Sequence, residues 1–167
     1  MAFQGYETQA YEVVEQFDAV EIRYYPPVMK VKVESAAVEN RNFNALFRYI
    51  SGNNAANEKI AMTTPVYMHN TPQGQSMEFV LPARFKEDAP QPRGAGVEVY
   101  RAKAGHFAAI RFGGYANASK TKNYTQTLRK ALKAAGKKVV GSPMLLSYDA
   151  PYKFYNRRNE VLLEIAY

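Results

Sequence analysis

One order of elements occurs twice along this chain of 167 residues. The first copy reads VEIRYYPPVMKVKVES, then an apolar-periodic segment around residues 43–50, then the short runs TPVYM and MEFVLP. The second copy reads VEVYRAKAGHFAAIRFGG, then a segment over 119–135, then SPMLLSYD and NEVLLEIAY. A repeat of about 80 residues is too long for a solenoid unit and suits a duplicated subdomain. The sequence therefore predicts one domain over 1–167, with two alike halves of about 10–85 and 95–167.

Most of the strand-like runs alternate between apolar and polar side chains. Val20 and Ile22 alternate with charged residues before the Pro-Pro pair at 26–27. After the pair, the apolar residues of 29–33 alternate with two lysines. This period-two pattern is typical of strands with one buried face and favours antiparallel pairing. Because proline has no N–H for a sheet ladder, the pair at 26–27 predicts a corner between two strands.

Two segments have the period of an amphipathic helix. The first carries apolar residues at i, i+3, i+4 and i+7, namely Phe43, Leu46, Phe47 and Ile50. Asn40 or Asn42 is its expected N-cap, and Gly52 stands where it should stop. We expect Ser119 to open the second helix and Gly136 to close it. Four strands and one helix per half predict an α+β fold, a distorted eight-stranded antiparallel barrel with two flanking helices and pseudo-twofold symmetry.

The composition narrows the classes of function. The chain has no cysteine, which excludes disulfides, thiolate metal sites and cysteine nucleophiles and leaves the redox compartment open. Its net charge of +7 favours anionic partners. No run of about 18 apolar residues occurs, so we expect a soluble chain without a membrane span. A monomer is the default expectation. The compartment stays open, either the cytoplasm or, if a signal has been removed, the periplasm.

Signatures of catalysis are weak. His69 and His106 stand outside any HExxH or GxSxG motif, and we expect them at a strand end and a turn. Glu160 and Glu164 share one side of the last strand by the period-two rule and could act as an acid and a base. The simpler alternative is that Glu160 pairs with Arg157 or Arg158 while Glu164 faces solvent.

Basic residues gather on and just after the second helix: Lys120, Lys122, Arg129, Lys130, Lys133, Lys137 and Lys138. They occupy the polar side of the Tyr124/Leu128/Leu132 stripe, as expected for a solvated face, and no DNA- or RNA-binding motif accompanies them. We therefore expect no specific nucleic-acid partner. Non-specific attraction of anions stays open.

The stretch EKIAMTTPVYM, residues 58–68, combines apolar and basic features. Met62, Val66 and Met68 have one strand parity, and thioether and aromatic side chains of this kind can line an adaptable apolar cleft. Arg23, Arg48 and Lys59 are the cations near its ends in sequence. A flat apolar acid would find both requirements here, although a packed core with a solvated rim would give the same pattern.

Several motifs, in order, resemble the SOUL haem-binding family: VEIRYYPP, FNALFRYISGNNAANEKIAMTTPVYM, MEFVLPARF and APYKFYNRRNEVLLEI. The resemblance covers nearly the whole chain. It implies the barrel-like duplicated fold described above and a non-covalently bound haem or other tetrapyrrole. Carried onto this sequence, it implies a binding site made of Phe43, Phe47, Arg48, Tyr49, Ile50, Lys59, Met62 and Met68, with Arg48 and Lys59 as partners of the propionates.

One departure from the family bears on the iron. Some members have been proposed to ligate iron through a histidine in the strand before the first helix, and VMKVKVESAAVEN contains none. That route to the iron is therefore excluded, which leaves His69, His106, a methionine, a tyrosine or no protein ligand at all. Of these we expect no strong axial ligand and no metal ligated by the protein. A fainter resemblance to GyrI-like effector-binding domains implies the alternative of a module for another apolar ligand. An enzyme that modifies tetrapyrroles, using Glu160 and a neighbouring tyrosine, is a third hypothesis.

Overall fold

The computed structural model describes residues 6–35, 39–149 and 153–167, which form twelve strands and two helices. In chain order these are β1 (Glu7–Thr8), β2 (Glu12–Phe17), β3 (Val20–Tyr25), β4 (Val28–Ser35), α1 (Glu39–Ile50), β5 (Thr63–Thr64), β6 (Val66–Thr71), β7 (Gly74–Val80), β8 (Val97–Ala102), β9 (Gly105–Phe112), α2 (Ala118–Ala134), β10 (Lys138–Val139), β11 (Met144–Ser147) and β12 (Asn159–Ala166). All eight predicted strands are present, and β1, β2, β5 and β10 are additional.

The chain divides into two compact units. The first described here is built from residues 6–9 and 27–103 and contains an antiparallel sheet in the order β6-β7-β4-β8, with a short parallel pair of β1 and β5. Helix α1 packs against β4 and β7. Leu46 and Ile50 of the helix and Val31 and Phe79 of the sheet belong to one buried cluster, which we call the α1 core.

The other unit is built from residues 10–26 and the described residues from 104 onward. Its antiparallel sheet has the order β2-β3-β9-β12-β11, and β10 also pairs with β12. Helix α2 packs on β9 and β12. Leu128 and Leu132 of α2 are fully buried in a cluster with Val20, Ile110 and Val161.

The strand pairing repeats between the units. In one, β4 lies between β7 and β8, and in the other, β9 lies between β12 and β3. Each half of the sequence therefore contributes its first long strand to the sheet built by the other half. The predicted duplication and fold class are confirmed by this order, while the compact units follow a different division from the sequence halves.

The helix ends differ in detail from the prediction. The side chain of Asn40 lies outside the described residues, and Asn42 is not an N-cap, because it lies inside the first turn of α1. Its Oδ1 accepts a hydrogen bond from Ser35 Oγ at 2.6 Å, which ties the helix to the end of β4. The N-cap of α2 is Asn117 rather than Ser119, and Asn117 Oδ1 accepts from the backbone N–H of Lys120 at 2.8 Å.

Both helices stop where the glycines predict. Gly52 follows α1 with φ of +121°, and Gly136 follows α2 with φ of +71°. Residues with a Cβ rarely adopt such positive φ angles. Glycine at these two positions therefore lets the backbone turn away from the helix. Among the described residues, no helix combines the length and apolar character that crossing a membrane requires.

Candidate functional site

The outer surface of α1 carries two stacked rings. The rings of Phe43 and Phe47 lie 6.0 Å apart between centroids with an interplanar angle of 16°. Phe43 also meets Phe79 of β7 edge to face at 5.4 Å, which anchors it against the α1 core. Phe47 is the outer ring of the pair and is 48 % exposed. A large aromatic surface on this helix is therefore left in contact with solvent.

Two of the predicted site residues are buried instead. Tyr49 and Ile50 belong to the α1 core. The hydroxyl of Tyr49 donates to the carbonyl of Pro90 at 2.6 Å, and burial, with the nearby charges of Glu58 and Asp88, raises the pKa of Tyr49 to about 12. These side chains fix the position of the helix, and the surface that it offers comes from Phe43 and Phe47.

Met62 and Met68 are half-buried, and both pack against the α1 core. Met68 lies on β6 opposite Met77 of β7, whereas Met62 precedes β5 and belongs to no strand. The prediction that Met62 and Met68 share the parity of one strand is therefore wrong, because the segment is broken into a loop and two short strands at Pro65. Both thioethers nevertheless adjoin the same apolar cluster.

The loop after α1 is organised by a residue that the sequence did not single out. Asn54 is fully buried, and its Nδ2 donates to the carbonyls of Tyr49 at 2.9 Å and Glu58 at 2.8 Å. Its Oδ1 accepts from the backbone N–H groups of Ala56 and Glu58. One side chain thus joins the last turn of α1 to the residue before Lys59. The GNN that follows the helix was its only signal.

The three predicted cations have different environments. Arg48, in the last turn of α1, and Lys59, in the loop, are exposed. Arg23 is buried in the other compact unit, where its guanidinium donates two hydrogen bonds of 2.7 Å to the carboxylate of Glu160. Arg23 is therefore committed to an internal ion pair and is unsuited to bind a ligand.

The two histidines lie in different compact units. On β6, Val66 and Met68 pack on the α1 core, and His69 has the opposite parity and extends from the other face of the sheet. His106 stacks on Tyr167 at 4.4 Å and contacts Tyr24 at 5.3 Å. Within the described part of the chain, no group of three or more histidine and acidic side chains could hold a metal ion.

Glu160 is the centre of a buried ionic network. The side chain is 0 % exposed and accepts from Arg23, from Arg158 at 2.9 Å and from the hydroxyl of Tyr148 at 2.9 Å. Burial alone would raise the pKa of Glu160, but the hydrogen bonds and charges of the two arginines outweigh it, so the pKa lies below its usual value. The predicted partner Arg158 and the neighbouring tyrosine are both found. An acid role is disfavoured, since the carboxyl holds no proton near neutral pH.

A second paired carboxylate, Glu78, lies on β7, the strand that corresponds to β12 in the sequence repeat. Glu78 accepts from the hydroxyl of Tyr100 at 2.6 Å and pairs with Lys30 at 3.3 Å. Lys30 is buried, and its ammonium lies 3.5 Å from the centroid of the Tyr67 ring. Burial lowers the pKa of Lys30, although Glu78 opposes the shift. The sequence pattern had indicated a solvated lysine here.

Solved structures share the fold at very low identity. The C-terminal domain of EcmrR aligns with a TM-score of 0.61 at 10 % identity, covering 93 % of this chain and 98 % of that domain. A hydrolase from Listeria innocua aligns with a TM-score of 0.59 at 8 % identity, covering 92 % and 94 %. These similarities establish the architecture alone.

Sequence comparison is more specific. Human Heme-binding protein 2 is 30 % identical over 182 residues, which covers 97 % of this chain and 87 % of the relative. Heme-binding protein 1 of Bos taurus is 28 % identical over 125 residues, 71 % of this chain, and the match spans only 65 % of the length of that relative. The family model described as SOUL heme-binding protein matches residues 6–164. The chain therefore belongs to the SOUL haem-binding protein family.

Proposed function

We propose that this protein binds haem or a related tetrapyrrole on the outer surface of α1, without a covalent bond and without a strong axial ligand from the protein. The observation that carries the proposal is the Phe43–Phe47 stack, whose outer ring is 48 % exposed, on a helix whose core also holds two half-buried methionines. Membership of the SOUL family and the names of its relatives support the choice of ligand.

The apolar part of the site suits a flat ring system. The free face of Phe47 can take an offset stack with the macrocycle, and this geometry is favourable for aromatic pairs. Met62 and Met68 add polarisable, adaptable side chains at the edge of the same cluster. Because Phe43 is anchored against Phe79, the ring below Phe47 is already in place before the ligand arrives. Such preorganisation lowers the entropic cost of binding.

The charged part of the site suits the propionates. Arg48 and Lys59 are exposed, and Asn54 joins the segments that carry them. Guanidinium and ammonium groups form charge-assisted hydrogen bonds with carboxylates, and arginine can do so with two parallel bonds. At this exposure the attraction is screened by salt, so affinity should fall as ionic strength rises.

The iron plays a minor part in this arrangement. His69 extends from the other face of the sheet from Met68. Met62 and Met68 are the half-buried methionines that pack on the α1 core, and thioethers are weaker ligands for ferric haem than imidazole is. Binding then depends on apolar contact and ion pairs, and a metal-free porphyrin should bind about as well as haemin.

The alternative is an effector-binding module for another apolar ligand, which the shared architecture with the EcmrR domain fits. That module would not depend on Arg48 and Lys59, because nothing requires its ligand to be an acid. The two hypotheses therefore predict different effects on ligand affinity when the charges of Arg48 and Lys59 are reversed.

The test is a haemin titration of an Arg48→Glu/Lys59→Glu variant, followed by absorbance. We expect affinity to fall roughly tenfold or more at about 0.05 M salt and the difference from the wild type to shrink at about 0.5 M. A Lys86→Glu/Lys103→Glu variant, with the same change of net charge at exposed positions outside the site, is the matched control. Equal affinity of the two variants would remove Arg48 and Lys59 from the site.

A further inference from the structure

All charged residues of helix α2 are basic. Residues 118–134 include five lysines and arginines and no acidic residue: Lys120, Lys122, Arg129, Lys130 and Lys133. The apolar side of the helix is used inside its own unit, where Leu128 and Leu132 are fully buried. The positive charge is thus held on a rigid helix that cannot turn its apolar side outward without unfolding.

The cations of α2 form a coherent surface. At about 100° per residue, Lys122, Arg129 and Lys133 fall within roughly 40° of arc around the helix axis. Lys130 lies about 60° around the axis from Lys133 and about 80° from Lys122. They extend over about 16 Å of the helix axis. All four are exposed, and none forms an ion pair with a side chain that the structure describes. We call these four residues the basic face.

Two basic residues next to the basic face, Lys120 and Lys137, do have partners. Lys120 Nζ donates to the carbonyl of Gly113 at 2.8 Å, and Lys137 pairs with Glu15 at 2.9 Å. The basic face is therefore a set of uncompensated charges, in a protein whose total charge is already +7. Repulsion among such charges costs stability, and an anionic partner would relieve it.

Exposed aromatic rings lie at the N-terminal end of the same helix. Tyr115 stands two residues before the N-cap Asn117, and its ring is 4.2 Å from the guanidinium of Arg157. Phe154 and Tyr155, which precede Arg157 by three and two residues in the sequence, are 78 % and 54 % exposed, and Tyr115 is 50 % exposed. These three rings are among the large apolar side chains that the fold leaves most exposed.

We propose that the basic face of α2 docks this protein on the surface of an anionic phospholipid bilayer, as a peripheral contact at the level of the headgroups. Lysine and arginine arrays on a helix are attracted to anionic lipid, and tyrosine and phenylalanine rings partition favourably into the membrane interface. Nucleic acid is the less favoured polyanion, because Tyr124, the ring between the cations in the sequence, stacks on Phe112 in the core of the unit and is not offered to a base.

The test is co-flotation of the full chain, without porphyrin, with vesicles of phosphatidylcholine alone or with about 30 % phosphatidylserine added. We expect binding to the anionic vesicles only, and its loss between about 0.1 and 0.5 M salt. A Lys122→Glu/Arg129→Glu/Lys133→Glu variant should bind at least about tenfold more weakly. The matched control is Lys86→Glu/Arg101→Glu/Lys103→Glu, which changes net charge equally at exposed positions of the other unit.

Four outcomes contradict the proposal. These are equal binding to neutral vesicles, no binding to anionic vesicles, equal losses in the two triple variants, and displacement from the vesicles by duplex DNA at equal phosphate concentration. A Phe154→Ala/Tyr155→Ala variant adds a readout independent of charge. At about 0.1 M salt this variant should bind the anionic vesicles more weakly than the wild type although its net charge is unchanged, because contact between rings and lipid adds to the ionic attraction.

Discussion

Single residues carry unequal parts of the stability of this protein, and Glu160 is expected to carry the most. Replacing Glu160 with Gln should lower the free energy of unfolding by about 3 kcal/mol at neutral pH, because it removes the carboxylate that the buried Arg23 and the half-buried Arg158 share and leaves Arg23 to pair with the partly exposed Glu21. Urea denaturation measures the change. Glu164→Gln, an exposed carboxylate on the same strand, is the control and should change stability by less than about 0.5 kcal/mol.

The same residue sets a pH dependence. Since the pKa of Glu160 in the folded protein lies below that of the unfolded chain, its stabilising contribution is complete above the unfolded value of about 4.3. That contribution is lost as the pH falls through the folded pKa. The difference in stability between wild type and Glu160→Gln should therefore shrink as the pH falls below the unfolded value of about 4.3. A difference that stays constant over this range would show that the carboxylate is not the titrating group.

The residues around Glu160 also show what a sequence can reveal about a site. Arg158 was predicted as a partner because it lies two positions away, and Arg23 was missed because it lies 137 positions away. Period-two alternation places Arg23 and Glu160 on polar faces of their strands without saying which strands are neighbours. The burial of Lys30 was missed for the same reason.

At the scale of elements, the hydrogen bonds of Asn54 hold the end of α1 and the loop after it together. Asn54→Ala should lower the free energy of unfolding by about 2–3 kcal/mol, because it leaves buried backbone groups of the loop without partners. Hydrogen exchange should report the loss at the amide of Glu58. Haemin affinity should fall as well, since Lys59 is no longer held beside the helix.

Asn53→Ala is the control for this element, because Asn53 is exposed and its backbone N–H, which bonds to the carbonyl of Arg48, is unchanged by the substitution. It should leave both stability and haemin affinity near the wild-type values. If Asn54→Ala reduced stability but not affinity, the loop would be a structural feature without a part in binding.

The helices and long strands were predictable, and the loop was not. Phe43, Leu46 and Ile50 have the helical period, and the packing of α1 bears it out. Met62 was assigned to a strand because its parity matches Val66 and Met68, although the chain forms a loop there. Periodicity indicates which residues are apolar on one side of an element, and the contacts of a loop depend on side chains such as Asn54 that have no period.

At the scale of the whole molecule, the two sequence repeats keep the same order of elements, but their first long strands pair with strands of the other repeat. The order of elements predicted the fold class, and each half proved to contribute a strand to the sheet of the other, as β3 pairs with β9 and β8 with β4. Order along the chain carries no information on this pairing, because antiparallel neighbours far apart in sequence are selected by packing. The candidate site follows from one unit alone, since its residues all lie within 43–68.

The most direct test of the account is to titrate haemin and metal-free protoporphyrin into the wild type and Phe47→Ala, with Phe154→Ala as the control for an exposed ring elsewhere. We predict that the two porphyrins bind the wild type with affinities within about threefold, and that Phe47→Ala alone weakens both by roughly tenfold. Haemin binding about a hundredfold tighter than the metal-free ring would establish axial ligation. Unchanged affinity in Phe47→Ala would show that the porphyrin does not lie on α1.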